Sequence, residues 1–156
     1  MSRENLSELV EQAGRAAQTL QAAVDGVDQA AAAVLGVNRT DLRCLEILWH
    51  RESTPGELAA ELGLTSGSVT TMLDRLAKLD YVARHPEPGD RRKVKIRITD
   101  AATAKVMQIY GPIAQEGATE VARYSAAELR TVIDYLRRAR ELQERHRTRI
   151  ADLPKR

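Results

Sequence analysis

The sequence predicts a mainly α-helical fold that carries one small β-hairpin. Helix-forming residues dominate the 156 residues, with 23 Ala and 17 Leu against 11 Val and 7 Ile. Aromatic residues are scarce (one Trp, four Tyr and no Phe), which excludes a core built on large rings. Residues 93–98 alternate strictly between charged and apolar side chains, a pattern typical of a half-buried strand.

The composition also indicates where the protein acts. No apolar run approaches the roughly 18 residues that a membrane span needs. The first residues lack the basic and then apolar stretch of a signal peptide. One cysteine cannot form an internal disulfide, which fits a reducing compartment. We therefore expect a cytoplasmic protein without membrane association.

Residues 5–35 predict a long amphipathic helix. Its apolar side chains recur at alternating steps of four and three residues: Leu6, Val10, Ala13, Ala17, Leu20, Val24, Val27, Ala31 and Val34. This heptad-like seam extends over about four heptads, although Asp25-Gly26 weakens its middle. The seam must cover either the protein's own core or a second chain, and the pattern of this helix does not distinguish between the two.

Three shorter helices follow, and two of them are joined by a tight turn. The first extends over about residues 40–49. Residues 54–57 (Thr-Pro-Gly-Glu) begin the second with a capping box and a proline at the first helical position, and Gly63 ends it. The third reaches about residue 79, with apolar residues three and four apart. Two helices joined by a short turn that contains glycine predict a helix-turn-helix.

A predicted hairpin comes directly after the helix-turn-helix. Residues 81–84 resemble a short strand, and residues 85–90 contain two prolines and a glycine, which favour a turn. In the second strand we expect Val94, Ile96 and Ile98 to face the core. The tip, Asp90-Arg91-Arg92-Lys93, is strongly basic. This order of elements predicts a winged helix-turn-helix.

Two further helices complete the prediction. Thr99 or Asp100 can cap the first of them, and Ser125 and Glu128 form a capping box that opens the second. The last helix has one apolar face: Leu129, Val132, Ile133, Leu136, Ala139 and Leu142. Long amphipathic helices thus flank the winged helix on both sides, which favours an intertwined dimer.

Charge is distributed unevenly along the chain, whose formal net charge is +2. Residues 66–99 carry eight basic and four acidic side chains, and residues 137–156 carry eight and three. Residues 1–36 instead carry two basic and five acidic side chains. Two basic segments indicate nucleic acid as a partner, although a solvated surface would explain the charge equally well.

The sequence resembles the MarR family (multiple antibiotic resistance regulators) of bacterial transcription factors. The likeness is carried by Val69-Thr70-Thr71-Met72-Leu73-Asp74-Arg75-Leu76 and by Asp90-Arg91-Arg92 before the second strand. The resemblance covers nearly the whole chain. It implies a homodimer whose N- and C-terminal helices form the interface, and repression at a palindromic operator that small aromatic or phenolic ligands relieve.

The resemblance also implies roles for single residues. Thr70 matches a recognition-helix threonine, and Asp90 and Arg92 match the wing pair, in which the arginine enters the minor groove. Two positions differ from the family pattern. Thr71 stands where arginine is common, and Asp80 replaces the usual glycine after the recognition helix.

Short hydroxyl side chains and basic side chains form the predicted DNA-binding surface. Arg75 suits a structural or phosphate role rather than base readout, and Ser66 could equally be a plain helix cap. We regard the six arginines between residues 137 and 149 as a solvated surface. The predicted DNA-binding residues are Ser66, Ser68, Thr70, Thr71, Arg75, Arg91, Arg92, Lys93 and Lys95, with Asp90 orienting Arg92.

The sequence contains no motif that predicts an enzyme, a cofactor or a metal site. Its three histidines lie in separate elements, and Cys44 lies in an apolar helical stretch typical of a core residue. We predict a DNA-binding regulator with dimerisation regions at 1–36 and 100–150 around a DNA-binding region at 37–99. Three alternatives remain open: a constitutive architectural DNA-binding dimer without an effector, an oxidant sensor based on Cys44, and a helical protein–protein module.

Overall fold

A computed structural model describes residues 3–87 and 90–154, with side chains for 5–86 and 94–154. This described part contains six helices and a two-stranded antiparallel sheet, which confirms the predicted fold class. In chain order the elements are α1 (Arg3–Leu35), α2 (Arg39–His50), α3 (Pro55–Leu62), α4 (Ser66–Lys78), β1 (Val82–Glu87), β2 (Asp90–Ile98), α5 (Asp100–Val121) and α6 (Ala126–Ala151).

Helix α1 is continuous through Asp25 and Gly26. It ends where Gly36 adopts a left-handed conformation (φ 68°). There the backbone N–H of Val37 donates to the carbonyl of Ala32, an arrangement that satisfies the last helical carbonyls. At the end of α1, Ala31, Ala32 and Leu35 are buried, but Val34 is exposed like most of the apolar residues before it.

Capping boxes begin three of the helices. The predicted boxes at Thr54 and Ser125 are confirmed, with Glu57 and Glu128 as their reciprocal partners. A third box, which the sequence analysis missed, pairs Asn38 with Asp41 at the start of α2. It differs from the usual capping box, in which serine or threonine is followed by glutamate three residues later.

The core lies between α2, α3, α4 and the inner half of the hairpin. Four apolar residues of α4 (Val69, Met72, Leu73 and Leu76) have at most 2% of their surface exposed, as their spacing predicts. They pack with residues from α2, α3 and both strands: Leu45, Leu48, Leu58, Val82 and Ile96. The core therefore fixes α4 by one face and leaves its other face to solvent.

The hairpin is longer than the sequence predicted. Strand β1 continues to Glu87, so residues 85–87 belong to a strand rather than to the predicted turn, and Pro86 faces Val94 across the sheet. Ile96 is fully buried and pairs with Ser53, but Val94 is 39% exposed. The prediction that Val94 faces the core is wrong, because the hairpin extends past the edge of the core.

The turn between α4 and β1 accommodates Asp80 in place of glycine. Asp80 adopts φ 58°, a left-handed conformation that aspartate tolerates better than most residues. Its backbone N–H donates to Ala77, and its carbonyl accepts from the Thr99 hydroxyl at 2.6 Å. These bonds hold the wing at the end of α4.

The chain divides into two compact units, Met1–Ile109 and Tyr110–Arg156, with the boundary inside α5. The first unit contains the winged helix and its core. In the second unit α6 has no buried residue in its described length, and Ile133 and Leu136 are more than half exposed. Across the described ranges, no helix has the length and apolar character needed to cross a membrane.

Candidate nucleic-acid interface

The exposed face of α4 begins with serine and threonine side chains. Thr65, rather than Ser66, caps the helix, because its hydroxyl accepts from the backbone N–H of Ser68 at 3.2 Å. Ser66 is therefore the first helical residue, and its exposed hydroxyl bonds to no residue in the described part of the chain. The Ser68 hydroxyl lies 2.9 Å from that of Thr65. Ser66 is thus available to an external partner.

Thr70 and Thr71 lie one turn further along the same exposed face. Their hydroxyls donate to the carbonyls four residues earlier, Ser66 at 3.0 Å and Gly67 at 3.1 Å. With the protons committed inside the helix, the outward groups are the oxygen lone pairs and the methyl groups. Such groups accept hydrogen bonds from base amino groups and contact thymine methyl groups.

Arg75 is held by a buried acid from another helix. Its Nε donates to Asp41 Oδ2 at 2.9 Å and its Nη2 to Asp41 Oδ1 at 2.5 Å. Hydrogen bonding to Asp41 raises the pKa of the Arg75 guanidinium. The Asp41 side chain is fully buried, whereas 43% of the Arg75 side chain is exposed. Arg75 therefore has a structural partner and still presents part of its side chain to solvent.

The predicted residues of the hairpin tip lie largely outside the described side chains. This applies to Asp90, Arg91, Arg92 and Lys93, so only their backbone positions in β2 are known. Lys95 is partly buried in the same strand.

Sequence reasoning missed two contacts of the wing, one ion pair and one close approach of a histidine to a glutamate. Arg84 of β1 donates to Asp74 of α4 at 2.7 Å, and His85 Nε2 lies 3.2 Å from Glu52. Both join residues separated by ten or more positions, and no local pattern signals them. The first of them links the wing directly to α4.

A surface cleft of about 570 Å³ adjoins this face. It is lined by Gly36 after α1 and by five residues of α4 and its end: Thr71, Asp74, Arg75, Lys78 and Leu79. Two cations, one carboxylate and a hydroxyl contribute polar groups to a lining that is otherwise apolar. Both Arg75 and Lys78 therefore lie at this cleft.

Cys44 is completely buried in the core. Burial, together with the nearby charge of Asp41, raises the pKa of the thiol to about 12. Since the thiolate is the reactive form, this environment disfavours oxidation. Among the described side chains, no cluster of three His, Cys, Asp or Glu could hold a metal ion.

A short helix, a turn at a left-handed glycine, a second helix with an exposed polar face and an antiparallel hairpin together define a winged helix-turn-helix protein. The MarR family model matches residues 35–93 of the chain. The uncharacterised HTH-type transcriptional regulator YcgE of Bacillus subtilis is 35% identical over 123 residues, which are 78% of this chain and 80% of YcgE. The chain belongs to the MarR family.

Solved structures give the same fold. Apo MarR from Escherichia coli is similar with a TM-score of 0.56 at 26% identity, covering 81% of this chain and 95% of MarR. A cysteine-to-serine mutant of the same protein, crystallised with operator DNA, is similar with a TM-score of 0.53 at 26% identity over 81% of this chain and 91% of MarR. The likeness thus extends well beyond the residues that the family model matches.

Proposed function

We propose that the protein is a sequence-specific regulator of transcription that binds double-stranded DNA as a homodimer. The observation that carries this proposal is the exposed face of α4, which presents short hydroxyl side chains followed by the partly exposed Arg75. The likeness to MarR bound to operator DNA supports the same function.

In this proposal α4 is the recognition helix and lies in the major groove. Ser66, Ser68, Thr70 and Thr71 approach base edges and phosphates, because their side chains are short and exposed. The tip of the hairpin enters the adjacent minor groove of the DNA, whose electrostatic potential is most negative in A·T-rich tracts. There Asp90 orients Arg92, and the neighbouring cations Arg91, Lys93 and Lys95 contact phosphates.

Dimerisation would use the apolar faces of α1 and α6. Residues 1–36 and 100–150 form the dimerisation region in this proposal, and residues 37–99 bind DNA. Side chains such as Val10 (64% exposed) and Leu136 (54% exposed) would then be covered by a second chain. A twofold dimer suits a palindromic operator, because each half-site meets the same helix.

We further propose that the protein represses transcription in the cytoplasm and that a small aromatic or phenolic molecule releases it from DNA. The cleft beside Arg75 and Lys78 supports this proposal, because it places two cations in the last turn of α4, where a phenolate or carboxylate group could bind. Titrating phenolic acids against operator binding separates this regulator from a constitutive architectural dimer, whose affinity for DNA would not change.

The test begins with a selection of bound DNA sequences by the purified protein. Thr70→Ala is then expected to weaken binding to the selected operator by about 1–3 kcal/mol and to leave binding to scrambled DNA nearly unchanged. Arg92→Ala should weaken binding to both duplexes. It should also reduce the slope of log affinity against log salt concentration by about one. Binding is measured for both duplexes over a series of salt concentrations.

Two matched variants serve as controls. Thr131 on α6 donates to the carbonyl four residues earlier, as Thr70 does, and Arg145 belongs to the solvated arginines. Thr131→Ala and Arg145→Ala should bind like the parent. Unchanged binding of Arg92→Ala to both duplexes would contradict the winged-helix mechanism, and a parent without salt-dependent DNA binding would indicate a protein–protein module instead.

A further inference from the structure

We propose that Asp41 is a positioning residue for DNA recognition, which acts through Arg75 to fix the orientation of α4. The proposal rests on the function proposed above, since it assigns to α4 the reading of base sequence. Asp41 lies on α2 and has no exposed surface, so it does not touch DNA itself. Its effect on binding would pass entirely through the helix that it holds.

The carboxylate of Asp41 is itself held in one orientation. Its Oδ2 accepts from the backbone N–H of Asn38 at 3.2 Å and from Arg75 Nε, and its Oδ1 accepts from Arg75 Nη2. A buried carboxylate needs such partners, because its transfer out of water is otherwise very unfavourable. The N-terminal turn of α2 also favours negative charge at this position. Asp41 is therefore a fixed point on α2.

The two parallel hydrogen bonds define the rotation of α4. A bidentate pair between a guanidinium and a carboxylate requires both groups to lie nearly in one plane, unlike a pair formed by a single point charge. Arg75 is one helical turn from Thr71, so a rotation of α4 that broke the pair would also move the hydroxyl-bearing face. The pair joins residues 34 positions apart in sequence, which makes it a tertiary restraint.

A second ion pair of α4 is a weaker restraint. Asp74 and Arg84 link α4 to the wing, but their side chains are 51% and 47% exposed. Exposed pairs contribute little because water and salt screen them, whereas removing one partner of a buried pair leaves an uncompensated charge. The Asp41–Arg75 pair is therefore the one that we expect to govern the orientation of α4.

Arg75→Lys tests the proposal because it keeps the positive charge and removes the planar fork. We expect at least a tenfold fall in the ratio of operator affinity to scrambled-DNA affinity, with an unchanged salt dependence. Asp41→Asn should lower the ratio similarly, and the double variant should be no worse than the single ones, since all break the same pair. Operator and scrambled duplexes are compared over a salt series.

Matched controls come from an exposed pair on α2. Arg43 and Glu46 are 2.6 Å apart with 59% and 56% of their side chains exposed. Arg43→Lys and Glu46→Gln make the same chemical changes without affecting α4, and both should retain the parental ratio. Circular dichroism and the fluorescence of the single tryptophan, Trp49, verify that each variant is folded under the binding conditions.

The outcomes separate this proposal from the function on which it rests. A parent that binds operator and scrambled DNA equally refutes sequence-specific binding. If the parent prefers the operator and Arg75→Lys keeps the parental ratio of operator affinity to scrambled-DNA affinity, only the positioning role is refuted. An equal loss of affinity for both duplexes in Arg75→Lys would show a phosphate contact and would also overturn it. If Asp41→Asn does not fold, Arg75→Lys alone still decides, because it leaves the buried carboxylate and its bond to Asn38 in place.

Discussion

At the scale of single residues, burial determines which side chains are available for chemistry. Cys44 and Asp41 are one helical turn apart on the same inner face of α2, and both are fully buried. Burial keeps the thiol of Cys44 protonated, whereas Asp41 is stabilised by the hydrogen bonds that it accepts. The cysteine therefore behaves as a small apolar residue, whereas Asp41 forms the ion pair that joins α2 to Arg75 of α4.

This assignment predicts a modest effect of substituting Cys44. Cys44→Ala should lower the free energy of unfolding by about 1 kcal/mol, because it removes one buried sulfur atom. Urea unfolding followed by Trp49 fluorescence measures the change. Peroxide should affect operator binding by the parent and by Cys44→Ser equally. A peroxide response that disappears only in Cys44→Ser would instead identify an oxidant sensor.

At the scale of elements, local signals determined which predictions succeeded. Thr54, Gly63 and Ser125 mark helix ends through bonds to near neighbours in sequence, so the pattern alone was sufficient. The outer hairpin was mispredicted because its extent depends on pairing between strands, as at Pro86 and Val94. The ion-pair partner of Arg75 could not be predicted from local sequence either, because Asp41 lies 34 residues away.

The capping box of α3 predicts a specific pH dependence of stability. Hydrogen bonds from the backbone and hydroxyl of Thr54 lower the pKa of Glu57 in the folded protein below its ordinary value of 4.5. The charged form is thus favoured by folding. Its contribution is complete above about pH 4.5 and is lost as pH falls through the lowered pKa.

Glu57→Gln removes this titration and keeps a side-chain oxygen for the cap. We expect the variant to be somewhat less stable than the parent at pH 7 and to lose less stability between pH 4.5 and 3. Glu128→Gln should behave in the same way, because hydrogen bonds from Ser125 lower the pKa of Glu128 too. Urea midpoints over this pH range test both variants, and parallel curves for parent and variants would contradict the prediction.

At the scale of the whole molecule, most of the apolar seam of α1 is exposed. The sequence left open whether the seam covers the protein's own core or a second chain. Within the described residues of α1, only Ala31, Ala32 and Leu35 at its end are buried, whereas Leu6, Val10 and Leu20 are each more than half exposed. Contiguous apolar surface of this length is unusual on a monomer, which favours the second chain.

Dimerisation through α1 predicts that a charge in the seam is disruptive and that the same charge outside it is harmless. Val10→Glu would bury a carboxylate in the interface, so the dimer should dissociate at protein concentrations where the parent stays associated. Gln18→Glu adds the same group away from the seam and should leave the dimer intact. Light scattering after size-exclusion chromatography measures the mass of each species.

Removal of the first 20 residues extends this prediction from one position to the whole interface. The deletion eliminates more than half of the seam and leaves the remaining apolar residues of α1 without their neighbours. We expect an aggregated or largely unfolded protein, because the winged helix alone does not cover the exposed face that remains. Circular dichroism and light scattering measure folding and mass together. A well-folded monomer from this deletion would contradict the dimer and would show that the seam does not need a second chain.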